Sequence, residues 1–445
     1  MHYQEHSDAT DRRKSIRLIS TLTICLGLSM TIAFAQSDPG VRGGAAGAGG
    51  PIPLLTGGEA DFFQNHAMPT FAEVETVADG LGPRFNLDSC GGCHAYPALG
   101  GSSPATNPQV AHAAIMAPGN IVPSFLKLNG PVREVRFIRN PDGSPDGGVH
   151  DLFTISGRSD KPAGCSIKQP DFSNANNMSF RIPTPTFGNG LIEAITDSTI
   201  RQNLASNSTL KNVLGIRGEV NTNGNDGTVT RFGWKAQNKS LTIFSGEAYN
   251  VEMGVTNEVF PNEREEDPNC AKNGTPESHT TFSVGGIAAG DVLEFTSFMR
   301  FLDQPKPSCT GNGCSSSIQN GHKLFTNIGC ALCHTESLTT GASSSPALDH
   351  KTANLFSDLA IHHMGAGLAD GVTQGGAGPD EFRTAPLWGV GQRVFFLHDG
   401  RTNDIQQAIL DHESPGSEAG RVIDVYRFVL TNSQKQDLLN FLRSL

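Results

Sequence analysis

Cys90-Gly91-Gly92-Cys93-His94 and Cys330-Ala331-Leu332-Cys333-His334 repeat one pattern 240 residues apart. Each copy supplies two thiols able to form thioethers with haem vinyl groups and an adjacent imidazole able to bind the iron from one side. A zinc or redox Cys-x-x-Cys with a chance His after it accounts for one such motif. It does not account for two in an exported chain. The chain reads as a di-haem c-type protein carrying two covalent haems, with His94 and His334 as iron ligands.

Export is read from the N-terminus. Arg12, Arg13, Lys14 and Arg17 precede a mostly apolar stretch from Leu18 to Phe34, and Ala33-Phe34-Ala35 forms a small-x-small cleavage site. The stretch is short and interrupted by Ser and Thr, which disfavours a retained anchor, and Ile24 before Cys25 is too large for a good lipoprotein site. The expectation is a signal peptide over 1–35, cleaved after Ala35, and a periplasmic protein without membrane attachment. Cleavage would remove four basic and three acidic residues, taking the formal charge from −11 to −12. That acidity argues against nucleic acid and allows a basic redox partner.

Of nine cysteines, one leaves with the signal and four sit in the haem motifs. Cys165, Cys270, Cys309 and Cys314 remain, and an oxidising compartment favours two disulfides. Cys309 with Cys314 would close a small Gly-containing loop and Cys165 with Cys270 a long one. Spacing alone leaves the pairing open.

Residues 36–60 are rich in Gly and Ala and read as a flexible lead. An N-terminal haem domain is expected over 61–305 and a C-terminal cytochrome c domain over 306–445. In the first, alternation in Val132-Arg133-Glu134-Val135-Arg136-Phe137 before Pro141-Asp142-Gly143 predicts strands joined by turns, and a second hairpin is expected between Ile216 and Trp234. Val292, Phe295, Phe298, Met299 and Leu302 trace one helix face, which Pro305 and Pro307 stop. In the second, a helix with His322 and Phe325 leads into Cys330, and a last helix near 433–445 carries Leu438, Leu439, Leu442 and Leu445 as one stripe. The fold class expected is mainly α, with two cytochrome c-like haem domains, the first enlarged by β-hairpin insertions. An echo supports two related modules: Phe180-Arg181-Ile182-Pro183-Thr184-Pro185 through Gly190 resembles Phe382-Arg383-Thr384-Ala385-Pro386 through Gly391, with one residue of slip. Arg181 and Arg383 are candidates for pairing with haem propionates through their guanidinium forks, with surface salt bridges as the alternative.

Gly80-Leu81-Gly82-Pro83-Arg84-Phe85-Asn86, Arg231-Phe232-Gly233-Trp234-Lys235-Ala236, Glu252-Met253-Gly254, the Phe382–Gly391 segment and Phe396-Leu397-His398-Asp399-Gly400-Arg401 together resemble the di-haem oxidoreductase/peroxidase family. More distantly the chain is similar to bacterial di-haem cytochrome c peroxidases and to the enzyme that matures a tryptophan-derived quinone cofactor. The resemblance implies that Trp234 lies between the haems and that Glu252 is the distal acid/base over the first iron. The family's active-site Gln after Ser-Leu has no counterpart, since Phe244 stands there. Counting from His398, the resemblance points to His412 as distal ligand of the second haem, where the peroxidases usually have Met; Met364 is the other candidate. The first haem is left open on its distal side or reached by His112. A calcium ion between the domains is also implied, although no Asp-rich loop supports one.

The function expected is that of a periplasmic di-haem oxidoreductase. It would reduce hydrogen peroxide at the first haem with electrons relayed from the second, drawn from a small donor such as a cytochrome c or copper protein. A related oxidase or oxygenase acting on an organic or protein substrate, and a non-enzymatic electron carrier, are the alternatives.

Overall fold

The computed structural model describes residues 36–264, 267–280 and 289–445, so the expected signal peptide lies outside the described residues. Among the described residues no helix is long and apolar enough to cross a membrane.

Each haem motif is framed by a pair of helices of its own, arranged alike in the two cases. In the second module, the helix Ser316–Asn327, capped by the Ser315 hydroxyl, runs into Cys330 and packs on the last helix, Asn432–Ser444. The contact is close because position 321 is glycine: a Cβ there would stand 2.0 Å from the Asp437 carbonyl oxygen. Around it His322 stacks on Phe441 at 4.8 Å and Phe325 meets the same ring at a tilt, 5.4 Å away. The stripe Leu438, Leu439 and Leu442 is buried as its spacing requires.

In the first module, helical residues 57–72 precede Cys90 and pack on the helix Asp291–Phe301, Phe71 stacking on Phe298 at 4.2 Å. The correspondence extends to detail. Phe71 meets the His94 ring at 5.9 Å and Phe325 meets His334 at 6.2 Å. Gly188 and Gly389 both adopt left-handed backbone (φ 67° and 71°) before a helical turn. Two residues on, Gly190 presses on the backbone of Arg300 and Gly391 on that of Arg443, each near the end of its module's last helix. The echo read in the sequence is thus one local arrangement used twice.

Regular strands are short and antiparallel. The longest pair joins Glu134–Phe137 to Met178–Arg181, with Glu134 opposite Arg181 and Val135 opposite Phe180. The predicted strand is therefore present, but its ladder partner lies some forty residues downstream, while the turn at Pro141–Gly143 closes only isolated bridges. Between Ile216 and Trp234 the chain makes one isolated bridge, Thr222 with Val229, in place of a regular hairpin. Alternation puts Val135, Phe137 and Phe180 into the main apolar cluster and leaves Glu134, Arg136 and Arg181 for the opposite face.

Two further points depart from expectation. The Gly- and Ala-rich lead lies along the protein rather than hanging free: Asp38 pairs with Arg443, and the Arg42, Lys306 and Ile52 amides donate to Gly391, Gly47 and Phe301. The helix before Pro305 ends as read, yet apolar packing crosses residue 305 both ways. Leu338, Leu348, Leu355 and Trp388 join the first cluster, and Ile216 joins the second. The disulfides Cys165–Cys270 and Cys309–Cys314 are both formed.

Candidate active site: two haem cavities joined at a tryptophan

The four motif cysteines are the free thiols among the described residues. Burial, with nearby Cys333 second, pushes Cys330 up to about 12, and burial raises Cys90 and Cys93 as well. A redox or zinc-binding pair needs the opposite shift, toward thiolate.

Both motif histidines are fixed in the same way. His94 Nδ1 donates to the Gly101 carbonyl at 3.0 Å and His334 Nδ1 to Phe356 at 3.0 Å, which leaves each Nε2 for a metal. Burial lowers both to about 4, so both imidazoles are neutral at any ordinary pH, the form in which a histidine can bind a metal. Each histidine lines its own cavity with its two cysteines.

His412 also lines the second cavity. Its Nδ1 donates to the Ala408 carbonyl one helical turn back at 2.7 Å, freeing Nε2, and it stands close enough to His334 to depress that residue's basicity. The helix Ile405–Leu410, capped by Asp404, sets this position. Met364 lines the same cavity but packs in an apolar group with Trp234, Phe382 and Phe395.

Trp234 is the one described residue that lines both cavities. Its indole N–H donates to the Ile182 carbonyl at 2.9 Å and its ring meets His398 edge-on at 6.4 Å. Its backbone carbonyl accepts from the Arg383 amide at 2.8 Å, which ties Trp234 to the strand Glu381–Arg383.

Glu252 faces the first cavity from the end of the helix Leu241–Met253. Two glycines make that placement possible. Gly254 ends the helix in left-handed backbone (φ 71°), and Gly82 lies so close that a Cβ would stand 2.2 Å from the Gly254 oxygen. Asn86 then donates from its backbone to the Glu252 carbonyl at 2.7 Å and from Nδ2 to the carboxyl at 2.9 Å. Burial, then the charge of Glu134, holds Glu252 well above the usual carboxylate range. Phe244 lines this cavity too and stacks on Phe232 at 5.9 Å. His112, by contrast, is not among the lining residues. It sits between Phe85 and Phe153 with Asp88 at 3.6 Å.

The cavities fit a group that carries carboxylates. Arg383 and Arg393 are buried in the wall of the second, form no ion pair among the described residues, and have Nη1 and Nε respectively without a partner. Burial lowers both to about 10. Buried guanidinium groups left uncompensated are costly, and the propionates of a bound haem would supply the missing anions. In the first cavity Arg133 and Arg181 each keep an unpartnered Nε, although Arg181 already pairs with Asp370 at 2.8 Å. Sequence reading missed Arg393, Glu134 and Asn86's double bond to Glu252. Asn86 lay in a segment that carried the resemblance and Glu134 in the alternating run Val132–Phe137, whereas Arg393 lay in neither. The one group of three metal-ligating side chains among the described residues is Cys333, Asp358 and His362, which is not the oxygen set that calcium takes.

Among solved structures, hydrazine synthase of Kuenenia stuttgartiensis is 19% identical over 36% of this chain and 58% of its own, with a TM-score of 0.25. The diheme peroxidase BthA of Burkholderia thailandensis is 16% identical over 35% and 50%, at 0.23. A MauG-like protein associated with microbial copper homeostasis is 17% identical over 60% and 91%, at 0.28. The chain thus spans only half to three-fifths of the first two, and scores this low carry no argument. No curated protein matches. Residues 144–445, which hold the second haem motif, Trp234, Glu252 and His412, match the family described as "Di-haem oxidoreductase, putative peroxidase". The first motif lies outside that span and rests on its own spacing and geometry. With more than half of its length matched, the chain belongs to the di-haem oxidoreductase family.

Proposed function

We propose that this protein reduces hydrogen peroxide in the first cavity with electrons delivered through the second. The observation that carries the reading is the joint placement of Glu252 in the first cavity and Trp234 in the wall of both. When bound, the two haems would supply an iron position for peroxide and two one-electron stores, matching the two electrons the reaction needs.

The chain's own residues have distinct tasks. His94 and His334 present fixed Nε2 atoms, and His412 closes the far side of the second cavity. Arg383 and Arg393 neutralise propionates there. Trp234 shortens the path between cavities with a polarisable ring. Glu252 moves a proton between the two peroxide oxygens; Phe244, where the family has Gln, cannot. A small redox protein, a cytochrome c or copper protein of the periplasm, is the donor class this reading requires.

The test is spectroscopy of the purified, haem-loaded protein with and without peroxide. Two covalent haems are expected, one low-spin and one that changes spectrum on adding peroxide. Two six-coordinate irons that never exchange a ligand would identify an electron carrier instead.

A further inference from the structure

The carboxyls of Glu134 and Glu252 reach the first cavity from different elements, the strand Glu134–Phe137 and the helix Leu241–Met253, and come close enough there to act on each other directly. Two carboxyl groups can share a hydrogen bond only when one of them carries a proton. Their surroundings decide which. Glu134 is ion-paired with Arg136 on its own strand and faces Arg181 across the ladder. Glu252 is bonded to neutral Asn86 and repelled by Asp151, and Arg136 acts on it more weakly than on Glu134. Glu247, from the same helix, acts on Arg136. Despite its burial, Glu134 is held below the usual carboxylate range, chiefly by Arg136 and then Arg181, while burial and Glu134 raise Glu252. The proton therefore resides on Glu252.

We propose that Glu134 and Glu252 work as one proton-sharing pair, Glu134 accepting the proton that one peroxide oxygen releases while Glu252 gives its own to the other. This deepens the peroxidase reading and rests on it. The O–O bond breaks, and the outer oxygen leaves as water with the proton from Glu252. The two electrons come from the reduced haem pair, and two further protons from solvent complete the second water. The pair gains and loses nothing: Glu134 ends protonated, Glu252 ends ionised, and their mutual hydrogen bond returns the proton. One carboxyl acting alone would have to be base first and acid afterwards. Phe244, standing where the family has Gln, cannot take part in proton transfer, and the second carboxyl divides the two tasks.

Infrared difference spectra of the haem-loaded protein test the pair independently of turnover. The parent should show a protonated-carboxyl band that Glu252→Gln removes. Glu134→Gln takes away the neighbouring negative charge and frees Arg136, so Glu252 should ionise at neutral pH and the same band should vanish. Peroxide cleavage should slow by about 10²–10⁴ in Glu252→Gln at every pH. In Glu134→Gln it should instead decline as pH rises. Glu134→Asp, which keeps the charge, should restore the band and the parental profile. If Glu134→Gln kept both while Glu252→Gln was slow, the pair would be refuted and the peroxidase reading would stand. If both Gln variants cleaved peroxide at the parental rate, the reading itself would fail.

Discussion

Arg383 and Arg393 stand within electrostatic reach of each other in the wall of the second cavity, both buried and neither facing a carboxylate. Two cations held in this way are stable only against an anion, and the propionates of a bound haem would be that anion. Arg393→Met should therefore cost the haem-loaded protein about 3–5 kcal/mol, the penalty for breaking a buried pair. It should also shift the second haem to lower potential, because loss of a nearby positive charge favours the oxidised iron. Denaturant titration and a potentiometric titration read the two effects, and an unchanged potential would place the propionates elsewhere.

His412 and Met364 are the two candidates for distal ligand to an iron in the second cavity. His412 has its Nδ1 bound to Ala408 and its Nε2 free, whereas Met364 is packed with Trp234 and Phe382. His412→Ala should convert the low-spin centre to high spin, and Met364→Leu should leave it low-spin. Loss of the low-spin signal in Met364→Leu alone would reverse the assignment.

What could be read from the chain followed the range of the forces involved. The haem motifs were legible because c-type haem attachment calls for two cysteines and a histidine at set places within five consecutive positions. The helices Asp291–Phe301 and Asn432–Ser444 were legible because burial of one face imposes a 3.6-residue period on Phe295, Phe298 and Leu438, Leu442. The cysteines paired as simple removal of the haem-bound four allowed. Glu134 escaped notice because a charged residue in an alternating strand signals an outward face, and that face turned out to be a cavity. Its ladder partner at Arg181 could not be inferred, since the Pro141–Gly143 turn advertises a nearer one. Composition likewise described residues 36–60 by their local freedom and was silent about Asp38 meeting Arg443.

Gly321 fixes the approach of the two helices that frame the second haem. A Cβ there would overlap the Asp437 carbonyl at 2.0 Å and the Phe441 side chain at 2.7 Å. Alanine gains about 1 kcal/mol in helix propensity, but the overlap is with backbone, which cannot rotate away. Gly321→Ala should be destabilising by about 3 kcal/mol at the upper end of overpacking costs. Gly420→Ala meets nothing within 4 Å and should be neutral or slightly stabilising. Chemical denaturation of the two variants makes the comparison, and equal midpoints would show that the helices have room to separate.

Glu75 gives the fold a pH dependence with a definite sign. Its carboxyl is 3% exposed and bonded by the Tyr249 hydroxyl at 2.9 Å. Burial, with Glu73 and Asp291 adding repulsion against the tyrosine bond, pushes it up to about 7. In the unfolded chain it would titrate near 4.5. Below that pH both states hold the proton and no stability depends on it. Between 4.5 and 7 only the folded state holds it, so the unfolded state binds fewer protons and stability falls as pH rises. Above about 7 both states are ionised and the loss is complete. Glu73, raised to about 7 by burial and by Asp291 and Glu294, adds a slope of the same sign. Glu75→Gln removes one titration while keeping an oxygen that can accept from Tyr249. It should be more stable than the parent at pH 8 by on the order of 1–3 kcal/mol, with the difference shrinking toward pH 5. Unfolding measured at several pH values reads that difference directly, and a gap independent of pH would mean that Glu75 is ionised in the folded protein throughout.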